Sequence, residues 1–299
     1  MADAAFLACD WGTTNLRAWL VSGEGEVLDE REFALGVSKL APGEAERRFA
    51  SEVRPALNAE GLPAILCGMI GSNLGWRPVD YLPCPASLDD LCAALATVAE
   101  GVRIAPGLRC EGIAGPDVMR GEETQVFGWL HQDAARLKGR HVICHPGTHA
   151  KWILVEDGRV VRFITAMTGE LFAVLGKHSV LKSDAPADDE AAFDAGLKAA
   201  GDGSALAARL FSTRSRVVAG GEAAETTPSY LSGVLIGSEV ASVPQLLGSE
   251  AKDVVLLGDP TLCRWYARAL TARGIRTTTH DGEEAALTAL TALQMGTRP

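Results

Sequence analysis

Two short polar tips, each closing an apolar run, carry the residue types that hold phosphate. In the first, Phe6-Leu7-Ala8-Cys9 ends on Asp10-Trp11-Gly12-Thr13-Thr14, and the chain resumes as Asn15-Leu16-Arg17-Ala18-Trp19 to a turn at Gly23. In the second, His141-Val142-Ile143-Cys144 ends on Pro146-Gly147-Thr148-His149 and resumes through Lys151 to Gly158. One offset carries Gly12 onto Gly147, Thr13 onto Thr148 and Gly23 onto Gly158. A Gly-Thr turn exposes backbone N–H groups that no side chain shields and adds a hydroxyl, a combination suited to phosphate oxygens. The phosphates of a nucleotide are the natural ligand of such a pair. Lys151, two residues past His149, adds a point charge within reach of a β- or γ-phosphate.

Tips of this kind need rigid strands behind them. Each reads as a buried strand, a turn, a second strand and a hairpin, which is a β-meander. Residues 5–9, 15–21 and 26–33 are predicted to form the first meander and 141–165 the second. Between them the patterns alternate: a helix over 44–59, a buried parallel strand over 64–69, a helix over 87–99 and a strand over 102–106. After Gly/Pro punctuation at 112–116, a helix is expected from Asp117 towards Leu130. The second half continues with helices over 170–180, within 187–211 and over 229–247, a strand at 253–257, a helix at 261–272, a strand at 275–279 and a last helix at 283–295. Residues 183–208, rich in Ala, Asp and Gly, read as a solvated surface insertion. Ala285, Ala286, Ala289 and Ala292 on the last helix, and Gly121 with Gly128 on the helix before the second meander, leave faces narrow enough for close helix approach. The resulting division is 1–115, 116–282 and a helix at 283–299 crossing back to the first half.

Composition bounds the partners. The 299 residues are 47% hydrophobic, enough for two cores, and the formal charge of -10 without a Lys/Arg cluster argues against a nucleic-acid surface. An anionic ligand must therefore be held by local groups. The chain shows no apolar run of membrane-spanning length and no leader pattern, so no membrane partner and a cytoplasmic location are expected. Seven cysteines lie scattered without CxxC or Cys/His pairing, which indicates neither disulfides nor zinc.

With these elements in place, six ordered blocks become specific: DWGTTNLRAW at 10–19, GMIGSNLGW at 68–76, VMRGEETQ at 118–125, PGTHAKW at 146–152, MTGEL at 167–171 and LSGVLIGSEVAS at 231–242. Together they resemble the 2-dehydro-3-deoxygalactonokinase family of the sugar kinase/heat-shock ATPase/actin superfamily. The resemblance implies an α/β protein of two actin-like (ribonuclease H-like) domains of duplicated topology flanking a nucleotide cleft, with the sugar acid on the N-terminal side and the nucleotide on the C-terminal side. It implies ATP as phosphoryl donor, Mg2+ as metal and the 6-hydroxyl of 2-dehydro-3-deoxy-D-galactonate as acceptor. Another 2-keto-3-deoxy sugar acid, or an actin-like ATPase acting as a partner-binding switch, is the alternative; the chain is short for the switch. A homodimer is compatible with the resemblance.

The roles it implies follow the chemistry of phosphoryl transfer, which needs neutralised charge, in-line positioning and a metal more than a strong base. Asp10, at a strand end, is the carboxylate that orients magnesium. Gly12, Thr13 and Thr14 form one phosphate tip; Gly147, Thr148 and His149, with Lys151, form the other. The proton acceptor is expected at the start of the connecting helix, among Asp117, Glu122 and Glu123, because the second tip carries His145 and Pro146 where an Asp is expected. Acids in a first helical turn also complement the macrodipole. Arg120 is expected to bind the substrate carboxylate or the transferring phosphoryl group. Asn15, Arg17, Ser72 and Asn73 are expected to line the sugar-acid side, with Thr168 and Glu170 closing its floor. Gly258, ending a Val-Val-Leu-Leu strand, allows close approach of the nucleotide, although Asp259-Pro260 stands where many relatives carry a second glycine.

Overall fold

A computed structural model describes residues 3–247 and 251–296. The first meander is β1 (Ala4–Trp11), β2 (Leu16–Ser22) and β3 (Val27–Phe33), antiparallel, with Asp10 opposite Arg17 and Trp11 opposite Leu16. β1 is apolar on both faces because it lies inside its sheet, whereas β3, at the edge, carries Asp29, Glu30, Arg31 and Glu32. α1 (Glu44–Arg48) and α2 (Arg54–Ala56), joined by a π-helical turn, lead to β4 (Ala64–Cys67), which runs parallel to β1 with Cys67 beside Asp10. There follow β5 (Leu82–Pro83), α3 (Leu88–Ala93), β6 (Ala96–Ala99), β7 (Val102–Ile104), β8 (Leu108–Glu111), β9 (Pro116–Met119) and α4 (Glu122–His131). The main sheet has the order β3-β2-β1-β4-β7-β6, and β5, β8 and β9 make a small separate sheet.

The second meander is β10 (Arg140–His145), β11 (Ala150–Glu156) and β12 (Arg159–Ala166). After it come α5 (Thr168–His178), α6 (Glu190–Ala200), α7 (Leu206–Leu210), α8 (Ser212–Val218), α9 (Thr227–Leu246), β13 (Asp253–Gly258), α10 (Pro260–Thr271), β14 (Arg276–Asp281) and α11 (Gly282–Gly296). Their sheet has the order β12-β11-β10-β13-β14. In both sheets the meander ends on its first strand, which then pairs in parallel with a later one, so the topology is duplicated. This is the actin-like, ribonuclease H-like arrangement.

By contacts the first unit comprises the described residues up to 140 with 155–162 and those from 282 onward; the second comprises 141–154 and 163–281. α4 therefore lies in the first unit, packed on α11. Gly128 of α4 abuts the backbone of Ala285, and Ala285, Ala286 and Ala289 are fully buried, so the two small-residue faces meet each other. The core around Trp11 and Phe49, whose rings lie 6.2 Å apart, supports the first tip from below. No helix among the described residues is long and apolar enough to cross a membrane.

Three expectations need correction. The helix predicted over 87–99 stops at Ala93, and Ala96–Ala99 pairs antiparallel with β7, where Thr97 and Val98 favour a strand. The helix expected from Asp117 begins only at Glu122, because Pro116–Met119 is paired to β8 and Gly121, at φ +110°, turns the chain. Residues 183–208 are not a solvated insertion. α6 buries Ala192, Phe193, Gly196 and Ala200 against α9, with Gly196 seated on Tyr230 and Gly233 on Phe193, so the small residues that look loop-like serve a tight helix pair.

Candidate active site

Asp10, next to last on β1, is half-buried, with its side chain against Gly68 just past the end of β4. A Cβ on Gly68 would stand 3.0 Å from Asp10 Oδ1 and 2.8 Å from the Trp11 carbonyl oxygen, and the residue has φ +85°, so glycine is required twice over. Loss of solvation raises the Asp10 carboxyl to about 6; the Cys67 thiol donates to it and lowers its value, while the neighbouring charge of Glu122 raises it. The first tip is braced from outside. Gly36 N–H donates to the Thr14 carbonyl at 2.9 Å, Val37 N–H to that of Gly12 at 3.1 Å, and Ser38 Oγ to that of Thr13 at 2.7 Å. Thr13 and Thr14 keep their side chains exposed.

The three acids proposed for proton transfer separate. Glu123 is fully buried; its carboxylate accepts from Gly121 N–H at 2.7 Å and from Thr124 Oγ1 at 3.1 Å, and burial, with the charge of Glu122, pushes it up to about 8. It closes the start of α4 and presents nothing to a substrate. Glu122 is part-exposed, accepts from Arg120 N–H at 3.0 Å and is the acid that the Asp10 carboxylate feels. Asp117 is not in a helical turn: it lies on β9 opposite Cys110, its Oδ1 accepting from Val118 N–H at 2.8 Å. Four residues of near-extended chain, roughly 13 Å, separate it from Gly121.

On the sugar-acid side the sequence expectations fare unevenly. Asn15 and Arg17 project from one face of the chain: Asn15 Nδ2 donates to Glu32 at 2.7 Å, and Arg17 is held by Glu30, Glu32 and Glu283. Ser72 is buried, its Oγ accepting from Leu74 N–H at 3.2 Å, and Asn73 is exposed. Arg120 is buried at the junction of β9 and α4; its Nη2 donates to the Val79 carbonyl at 2.6 Å and its guanidinium lies 4.2 Å from the centre of the Tyr81 ring. Thr168 and Glu170 belong to the second unit instead. They open α5, whose Gly169 is pressed on the Gly147-Thr148 backbone; Glu170 N–H donates to the Thr148 carbonyl at 2.9 Å and its carboxylate pairs with His149 Nε2 at 2.5 Å.

The second tip thus receives the positive end of a helix of 11 residues, an arrangement suited to anions. Lys151 is buried on β11, with Nζ donating to Thr165 Oγ1 at 3.0 Å. Gly258 ends β13 facing His145, and Asp259 with Pro260 starts α10, the Asp259 carboxylate accepting from Leu262 N–H at 2.9 Å. Asp-Pro is therefore a cap followed by a first-turn proline, which explains its place after the glycine. Beside the tip a cavity of about 340 Å³ is walled by Phe172, Leu235, Ile236, Trp265 and Tyr266, with Gly147, Thr168 and Asp259 on its polar side. Behind this wall Glu239 is buried, accepting from Trp152 Nε1 at 2.7 Å and from Tyr266 Oη at 2.8 Å. A larger cleft of about 560 Å³ near Asp194 and Arg273 includes no residue of either tip.

Sequence reasoning missed Gly36, Gly68, Glu239 and the aromatic wall. Glu239 had a signal: one acid within an apolar helix needs buried donors.

A model of the family described as 2-keto-3-deoxy-galactonokinase matches residues 10–293. A Rhizobium meliloti (strain 1021) relative named for that activity is 37% identical over 298 residues, covering 96% of this chain and 95% of the relative. The 2-dehydro-3-deoxygalactonokinase of Escherichia coli (strain K12) is 35% identical over 284 residues, covering 94% of each. The crystal structure of a Sinorhizobium meliloti protein assigned the same activity superposes with a TM-score of 0.88 at 34% identity, over 98% of this chain and 99% of that one. With the match running from the first tip into the last helix, this chain belongs to the 2-keto-3-deoxy-galactonokinase family.

Proposed function

We propose that the protein transfers the γ-phosphoryl group of ATP to the 6-hydroxyl of 2-dehydro-3-deoxy-D-galactonate. The observation that carries this reading is the placing of two carboxylates in the first unit: Asp10, at a strand end, has Glu122 near enough to raise it, and the adjoining tip exposes the hydroxyls of Thr13 and Thr14. Glu122, the accessible one of the two glutamates, orients the 6-hydroxyl and accepts its proton late, as the bond to phosphorus forms. Glu123 holds the start of α4 and with it the position of Glu122. Gly12, Thr13 and Thr14 bind phosphate oxygens, and Gly147, Thr148 and His149 bind those of the nucleotide, with Lys151 supplying positive charge behind them. The cavity lined by Phe172, Trp265 and Tyr266 takes the nucleoside, and Thr168, Glu170 and Asp259 serve this nucleotide end.

Asp10 fits a magnesium site: it is a hard oxygen donor at a strand end, with the carboxylate of Glu122 near enough to raise its value. When bound, Mg2+ supplies neutralisation of phosphate charge.

An assay coupled to ADP formation, run with ATP and a panel of 2-keto-3-deoxy sugar acids and followed by 31P NMR of the product, tests the proposal. A 6-phosphate formed fastest from the galactonate-derived acid is expected. ATP hydrolysis that ignores every sugar acid overturns it.

A further inference from the structure

The guanidinium of Arg120 carries more donors than the protein satisfies. The residue is 8% exposed, and only Nη2 has a partner, the Val79 carbonyl; Nε and Nη1 are buried without a hydrogen bond, and no carboxylate pairs with the group among the described residues. Tyr81 stacks on one face and restricts how the fork turns. A buried cation with open donors is costly and persists where a ligand completes it. The other arginine near the first tip is committed, since Arg17 is held by Glu30, Glu32 and Glu283.

Its place is marked by a short rod. The 3-10 turn Gly68–Gly71 has Asp10 Oδ1 against its first residue and Arg120 Nη1 against its last, each of which is a glycine whose Cβ would approach those atoms to 3.0 Å and 2.8 Å. Three residues of 3-10 helix advance about 6 Å. Five carbon–carbon bonds of about 1.5 Å in an extended zigzag span roughly the same length. We infer that Arg120 is the counter-ion of the sugar acid's C1 carboxylate, and that the Gly68–Gly71 turn sets the distance between that carboxylate and the phosphorylated end at Asp10 and Glu122. The Nη1 end of the guanidinium, beside Gly71, offers one carboxylate oxygen a charged donor, and the second N–H of Nη2 lies on the same edge for the other oxygen, whereas a hydroxyl would leave the charge uncompensated. The inference rests on the kinase reading and adds the substrate's charged end and its orientation.

Wild-type enzyme is assayed with the sugar acid and with the analogue bearing CH2OH in place of the carboxylate, then compared with Arg120→Met and Arg120→Lys. The wild type should favour the acid by about 100-fold in kcat/KM, the usual order for a lost charged hydrogen bond. Arg120→Met should raise KM for the acid about as much, leave KM for ATP unchanged and treat acid and analogue within a few-fold of each other. Arg120→Lys should keep a preference for the acid with a smaller rise in KM. A wild type indifferent to the carboxylate overturns the inference without any variant. Equal losses on both compounds in either variant also overturn it, since they indicate that Arg120 only supports the β9–α4 junction. Failure of the wild type on every sugar acid strikes the kinase reading instead, so the two failures are distinguishable.

Discussion

The ends of the two parallel strand pairs can be laid over each other. In the first unit β4 is followed at once by Gly68, whose missing side chain makes room for Asp10; in the second β13 ends on Gly258, which faces His145. Asp10 and His145 precede their glycines of the tip, Gly12 and Gly147, by the same two residues. Both strand-end glycines have positive φ, +85° and +140°. The fit differs: an added Cβ would meet Asp10 Oδ1 at 3.0 Å but the His145 ring only at 3.7 Å. Duplication has kept the backbone device and changed what it presents. One end holds a carboxylate with a second acid nearby, and the other holds an imidazole beside an apolar cavity and a helix start.

The sharpest way to break this comparison is to remove the charge that distinguishes the two ends. Asp10→Asn should lower kcat by at least about 10³-fold, as the role proposed for Asp10 at magnesium requires, with thermal stability unchanged or higher because the charged form is penalised by burial. Wild-type turnover should fall as pH drops through about 6, where Asp10 takes up its proton, and higher Mg2+ should move that fall to lower pH. Near-normal turnover of the variant would remove Asp10 from the chemistry.

Next in size is the separation of adjacent acids. Glu122→Gln should cost about 10²-fold in kcat with little change in KM for ATP, the usual size for a lost base. If Asp117→Asn is the damaging variant instead, the proton acceptor lies on β9.

The strand-end glycines should respond in kind and unequally. Gly68→Ala forces the Asp10 carboxylate aside and should lower kcat by roughly 10-fold or more, whereas Gly258→Ala should chiefly raise KM for ATP, by a few-fold. Equal kcat losses would show that the two ends are not specialised.

The smallest effect concerns Glu123. Its folded value of about 8 lies above the ordinary 4.5, so its contribution to stability is full below pH 4.5 and is lost as pH rises through 8. Glu123→Gln should therefore raise Tm by on the order of 5 °C at pH 9 relative to wild type, little at pH 4, and leave kcat within a few-fold. Thermal scans across pH check this; a variant that is less stable at pH 9 would refute the buried, protonated glutamate.

Much of the fold was legible because its signals are local. The repeated apolar run, Gly-Thr turn and hairpin gave both meanders, and the Val-Val-Leu-Leu run before Gly258 gave β13. What failed were places where pairing decides: Thr97-Val98 becomes a strand only because β7 lies beside it, and Asp117 is drawn from the helix by β8. At the candidate site, residue types single out Asp10 and the tips as candidates, but which of Glu122 and Glu123 is accessible depends on the turn at Gly121 and the burial behind it. Thr168 and Glu170 were assigned to the sugar acid from their block alone, and their docking on Gly147 and Thr148 is a tertiary fact that spacing does not carry.

The seating of Gly128 on Ala285 ties the helix that bears Glu122 to a segment more than half the chain away. Synthesis proceeds from the N-terminus, so a nascent chain that has finished every strand of the first unit still exposes the groove of α4 where α11 belongs. That groove stays open while the whole second unit is translated, and a chaperone or protease acting in this interval meets an apolar face that the finished protein hides. Frameshifts or stop codons placed after β14 would accordingly spare the second unit in sequence and still leave the first, which bears Asp10 and Glu122, unfinished.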